Sequence, residues 1–187
     1  MASNPSRRRL IADAGLALLG GSGSRALTHR AVDAEAGLPT GTCANYFPTK
    51  ADLFLGMAER VFERLAPDPG RLTDLAELDG DDTLPAYVGY IVERLIAQPR
   101  IATALLELRL QAARSPEIAA KLGPFLRTNL DSDVAFHIGR GLPGGRDAVL
   151  LLHHVVNGIL LDALTIQLDP ETDPVTMARR AARRLVH

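Results

Sequence analysis

The chain has 187 residues, 21 lysines and arginines against 22 aspartates and glutamates, one cysteine and no tryptophan. Hydrophobic residues at 47% and charged residues at 23% allow a packed core and exclude general disorder. A single cysteine excludes an internal disulfide, and Arg7-Arg8-Arg9 is followed by no signal-like apolar segment, so a soluble, cytoplasmic protein without a membrane partner is expected.

Helical spacing of apolar residues recurs along the chain, strand-like alternation does not, and about nine helices are predicted. The first runs over 5–19, with Asn4 as N-cap, Leu10, Ala14 and Leu18 as its apolar stripe, and Gly20-Gly21 as its stop. Thr28 caps a short second helix, with Leu27 and Val32 placed as a hydrophobic staple and Gly37 at its end. Leu38-Pro39 opens a third short helix running to about Phe47; after Pro48, Thr49 caps a longer fourth through Leu65. Two short helices joined at a glycine make a helix-turn-helix candidate.

Residues 67–84 read as a break with an acidic cluster and one helical turn around Leu72–Leu78. Further helices are predicted at 83–97, 99–114, 116–140, 146–168 and 173–186, punctuated by Pro99, Pro116, Gly141–Gly145 and Asp169-Pro170. The stretch 149–168 carries His153, His154, Asn157 and Asp162, which argues against a bilayer span.

Near-neutrality conceals an asymmetry. Residues 1–50 hold six positive and three negative groups, and residues 51–187 hold 15 and 19, so a balance of +3 precedes one of −4. A basic head on an acidic body suits a protein that meets phosphate at one end. On a helical wheel over 39–47, Cys43 and Phe47 share an inward arc, while Gly41, Thr42, Ala44 and Asn45 lie outward with Tyr46 at the edge. That small, uncharged face fits a major groove, where Asn pairs with adenine, and the wheel alone leaves a polar solvent face open as well. Lys50, at the first position of the fourth helix where the dipole disfavours a cation, suits a nearby phosphate, as do Thr28 and Arg30.

The run Ala26-Leu27-Thr28-His29-Arg30-Ala31-Val32, then Ala34 to Thr42, then Asn45-Tyr46-Phe47-Pro48-Thr49-Lys50 with Leu53 and Phe54, resembles the N-terminal signature of the tetracycline-repressor (TetR) family over about residues 7–60. The resemblance implies an all-α homodimer. Its three-helix head (residues 1–50) would bind a palindromic double-stranded operator, and its body (residues 51–187) would bind a small effector and dimerise. It carries DNA contacts over to Thr28, Arg30, Thr40, Gly41, Thr42, Asn45, Tyr46 and Lys50, with Phe47 as the core anchor. Cys43-Ala44 departs from the family's frequent Leu-Tyr, and Ala44 would meet a thymine methyl instead of supplying a tyrosine contact. Cys43 is expected to be a buried, inert thiol. For Arg7-Arg8-Arg9, phosphate contacts and a solvated helix end are both open.

In the body, an apolar pocket among the fourth to eighth helices is expected to use Met57, Phe62, Tyr87, Tyr90, Ile91, Leu105, Leu106, Arg109, Phe125, Asn129, Phe136 and His137. A four-helix dimer interface is expected from Val149, Leu152, Val156, Ile159, Ala163, Met177 and Ala181. Adjacent His153 and His154 point about 100° apart and cannot share a metal, and no catalytic or cofactor motif appears, so neither an enzyme nor a cofactor is expected. The reading is a ligand-responsive repressor; a helical small-molecule carrier with a vestigial head is the alternative.

Overall fold

The computed structural model describes residues 4–185. Its first helices are α1 (Pro5–Ser22), α2 (His29–Glu35), α3 (Thr42–Tyr46), α4 (Lys50–Arg64) and α5 (Pro69–Ala76). After a 3-10 turn at Gly80–Asp82 come α6 (Thr83–Ile96), α7 (Pro99–Ala112), α8 (Pro116–Gly139), α9 (Gly145–Leu164) and α10 (Pro174–Leu185). No strand occurs among the described residues, so the fold is all-α. Packing divides the chain into two compact units: residues up to Leu65 with Arg100–Arg127, and Ala66–Pro99 with residues from Thr128 onward. α8 contributes to both units and contains Pro124.

In the first unit, the Asn4 side chain accepts from the Arg7 N–H at 3.2 Å and Pro5 fills the first turn of α1. The expected stop at Gly20-Gly21 is passed, and the helix ends at Gly23 with φ 73°. A Cβ on Gly20 would stand 2.9 Å from the Arg100 carbonyl oxygen, so this glycine serves a close approach instead of a helix end. The expected stripe also rotates: Leu10 is 45% exposed, while Ile11, Ala12, Leu16 and Leu19 are buried. Because α1 packs against both α2 and α4, their combined footprint selects a different arc.

Thr28 and Thr49 cap α2 and α4 as the sequence predicts, and Leu27 and Val32 are both buried. At α4 the cap is reciprocal: Thr49 Oγ1 accepts from the Asp52 N–H at 3.1 Å, and Asp52 accepts from the Thr49 N–H at 3.2 Å. The core joins Ile11, Val32, Cys43, Phe47, Phe54, Met57 and Val61 to Leu108 and Leu122. Phe47 lies so tightly on α4 that its ring leaves no room for a Cβ on Gly56. Burying such a ring stabilises by about 2–3 kcal/mol, which makes Phe47 the anchor of the short α3.

In the second unit, the predicted break contains a true helix. Asp68 accepts from the Arg71 N–H at 2.9 Å and Pro69 presets the first turn, so α5 begins well before the expected turn. Leu84, Val88 and Val92 of α6 pack with Leu152, Val156 and Leu160 of α9 and with Ala178 and Ala182 of α10. Helix α9 is long and apolar enough to cross a membrane by length and composition alone, but this inner face is a core contact. The expected end of the last helix at residue 186 lies outside the described residues.

Candidate DNA-binding and ligand sites

The third helix is shorter than its sequence pattern suggests. Gly41 adopts φ 92°, a left-handed conformation, and the Thr42 N–H donates to the Pro39 carbonyl in a turn, so Thr40 and Gly41 precede the helix. Gly41 has no side chain to cap the helix start, and Asp33 of α2 does so from a distance. Its buried carboxylate accepts from the Gly41 N–H at 2.7 Å and from the Cys43 N–H at 2.6 Å. At the other end, His29 Nε2 donates to the Phe47 carbonyl at 2.7 Å. His29 and Asp33 are four residues apart and therefore share one face of α2. One helix face thus holds both ends of α3.

Neither residue was singled out by sequence reasoning, although their spacing was a usable signal. The clamp leaves Thr40, Gly41, Ala44 and Asn45 exposed, with Thr42 and Tyr46 half-buried. Thr42 Oγ1 donates to the Pro39 carbonyl at 2.6 Å, which leaves that hydroxyl as an acceptor. Thr28 uses its oxygen to accept from the Ala31 N–H, so its hydroxyl proton stays available, and Arg30 beside it is exposed. Lys50 is exposed, lies 5.6 Å from the Phe54 ring centroid, and has no ion pair among the described residues.

The arginine run divides. Arg8 pairs with Glu59 at 3.0 Å and lies 4.3 Å from the Phe47 ring centroid, and Arg9 pairs with Glu63 at 3.1 Å. Arg7 is exposed. Cys43 is fully buried, and burial followed by the Asp33 charge pushes its thiol up to about 11. It remains a protonated, unreactive group at neutral pH.

The second unit contains a cavity of about 320 Å3. Tyr87, Tyr90, Ile91, Phe136 and His137 of the expected pocket line it. Met57 and Leu105 instead pack in or against the core of the first unit, where Phe62 and Phe125 meet edge-on at 5.1 Å. Leu106 is half-buried and Arg109 exposed in that unit; Asn129 belongs to the second unit without lining the cavity. The sequence reading missed Arg94 and Asp133, both of which line it. Helical spacing carried that signal: Tyr87, Ile91 and Arg94 fall on one face, as do Asp133, Phe136 and His137. Burial pushes Arg94 down, partly offset by Tyr90 and then Asp133, and pushes Asp133 up, partly offset by the Arg94 charge.

The expected dimer stripe is split by the same packing. Leu152 and Val156 are buried, join the core and line the cavity, and Val149 also lines the cavity. Ile159 packs partly buried against that core. Helices α6 and α10 cover this arc of α9, leaving Leu151, His154, Gly158 and Leu161 exposed on the other. Ala163, Met177 and Ala181 are half-buried.

A clamped helix-turn-helix in one unit and an aromatic cavity in the other fit the class of all-α transcriptional regulators. Residues 79–187 match the family model described as "Tetracyclin repressor-like, C-terminal domain". The chain belongs to the TetR family.

Its fold is similar to that of the multidrug binding protein EbrR complexed with imidazole, at a TM-score of 0.73 and 24% identity, covering 98% of this chain and 97% of that one. A transcriptional regulator from Rhodococcus sp. Rha1 is similar at a TM-score of 0.71 and 25% identity, covering 95% and 92%. A TetR transcription regulator from Haloarcula marismortui is similar at 0.62 and 21%, covering 97% of each. EbrR has also been solved with malachite green and with proflavin. No curated protein matches the chain significantly.

Proposed function

We propose that this chain is a homodimeric transcriptional repressor that binds a palindromic operator and leaves it when a small molecule occupies the cavity. The observation that carries the DNA reading is the clamp on α3 by His29 and Asp33. A five-residue helix has little stability of its own, and holding both its ends gives Asn45, Ala44 and Thr40–Thr42 the fixed position that base readout requires. Thr28, Arg30, Tyr46 and Lys50 take phosphates around it. A cytoplasmic location goes with that operator partner.

The cavity takes the effector, and the dye and imidazole complexes of EbrR support a small-molecule reading. Phe136 on α8 meets Tyr87 edge-on at 5.5 Å at the cavity, and Phe125 on the same helix meets Phe62 of α4. Effector binding would change the separation of two heads that a palindrome requires to be fixed. The outward face of α9, Leu151, Gly158 and Leu161, with Met177 and Ala181 of α10, forms the four-helix contact between copies.

Selection of bound sequences from a random DNA pool tests the reading. A palindromic motif, with binding that falls steeply as salt rises, is the expected result. Sequence-indifferent, salt-insensitive recovery would favour the carrier with a vestigial head.

A further inference from the structure

Of the 21 lysines and arginines in the chain only Lys50 and Lys121 are lysines, and both stand at the first turn of α4. Lys50 is the first residue of that helix. Lys121, on the part of α8 that belongs to the same compact unit, places its Nζ 2.9 Å from Asp52 Oδ1. Asp52 is the acidic residue of the turn, and its other oxygen accepts from the Thr49 N–H at 3.2 Å and from Thr49 Oγ1 at 2.7 Å.

Apolar contacts seat α8 there. Ile118 and Leu122 are buried in the core that holds Phe54 and Met57, and Phe125 meets Phe62 of α4 edge-on at 5.1 Å. Lys121, three residues from Ile118 and four from Phe125, borders that face.

Asp52 serves α4 and opposes DNA at once. Its carboxylate closes the reciprocal cap and suits the positive end of the helix dipole. Lys121 first, and then Thr49, hold its carboxyl below the usual carboxylate range, so it is ionised at neutral pH. Residues two apart on a helix differ by about 3 Å in rise, so a phosphate on Lys50 stands within about one Debye length of this anion. Alone, Asp52 would repel that phosphate and cancel the Lys50 charge. With Lys121 bonded to it, the turn keeps one positive charge, and Lys50 is exposed without an ion pair among the described residues.

We propose that Lys121 is a positioning residue of the DNA site, acting through Asp52: it neutralises the carboxylate that caps α4 and so leaves the Lys50 end attractive to phosphate. This rests on Lys50 taking a phosphate.

Fluorescence anisotropy of the full chain with a mixed-sequence DNA duplex, at salt from about 50 to 200 mM, tests it. Lys121→Ala is expected to weaken binding about threefold at the low end, with the gap closing as salt rises, and Lys121→Arg to restore it. Lys121→Gln, which keeps a hydrogen-bond donor, is expected to match Lys121→Ala and carries the test if the alanine variant does not fold. Asp52→Asn breaks the same bridge but removes the anion. It should bind at least as tightly as the natural chain, and Lys121→Ala should have no further effect in that background. A bridge that served folding alone would make Asp52→Asn as weak as Lys121→Ala. That result overturns the proposal, as does unchanged binding by the Lys121 variants at low salt. Lys50→Ala separates the two readings. If it binds the duplex unchanged, or the natural chain does not bind it, the phosphate reading falls and the proposal with it. If Lys50→Ala weakens binding and Lys121→Ala does not, only the proposal falls.

Discussion

The Asp33 carboxylate accepts the Cys43 backbone N–H at 2.6 Å, tying the start of α3 to the preceding helix. Its other oxygen holds the Gly41 N–H. Both bonds are charge-assisted and the one to Cys43 is buried, so this pair sets where α3 begins. In Asp33→Asn one amide hydrogen would face an N–H donor, and the charge that strengthens both bonds would be gone. Urea denaturation should show a loss of about 1–3 kcal/mol. Operator affinity, measured where the variant is still folded, should fall as well; a variant with native DNA affinity would mean that α3 is positioned without the clamp.

Lys50 and Asn45 should divide the work of DNA binding. Lys50→Ala is expected to weaken all sequences alike and to lower the salt slope by about one counterion. Asn45→Ala should instead relax preference at one base position, with a discrimination loss of about 1–3 kcal/mol. Gel-shift titration of both variants over several salt concentrations and operator variants separates the roles, and identical behaviour would disprove the division.

Cys43 makes the folded state sensitive to alkali. The folded chain holds the thiol proton up to about 11, whereas the unfolded chain releases it near the ordinary value of 9.0. Between these values the unfolded state binds fewer protons, so stability falls as pH rises. Urea midpoints at pH 8, 9 and 10 should decline across the series. Iodoacetamide labelling at pH 8 should proceed only as fast as unfolding, and rapid labelling of native protein would contradict the buried assignment.

Leu161 tests which arc of α9 meets a second copy. It is 54% exposed in the chain, whereas Leu152 is buried in the chain's own core. Leu161→Glu should shift the sedimentation equilibrium toward monomer while leaving the fold intact by circular dichroism. Leu152→Ala should lower stability by about 2–5 kcal/mol without specifically dissociating a dimer. An unchanged dimer in Leu161→Glu would place the interface elsewhere.

The sequence by itself determined the helices, their N-terminal caps and the family resemblance. These depend on residues three to five apart: Thr28 with Ala31, Thr49 with Asp52, Leu27 with Val32. Such interactions form locally, whatever the rest of the chain does. Only the tertiary structure decided which faces turn inward. α1 and α9 each carry more apolar surface than one stripe, and the neighbouring helices chose Ile11 over Leu10, and Leu152 and Val156 as core residues. The Gly41 turn and its capping by Asp33 escaped a helical wheel because the wheel assumes the helix it is meant to test. The cavity joins residues from Pro67 to Val156, and burial is collective, so their convergence on Tyr87 is a property of the fold.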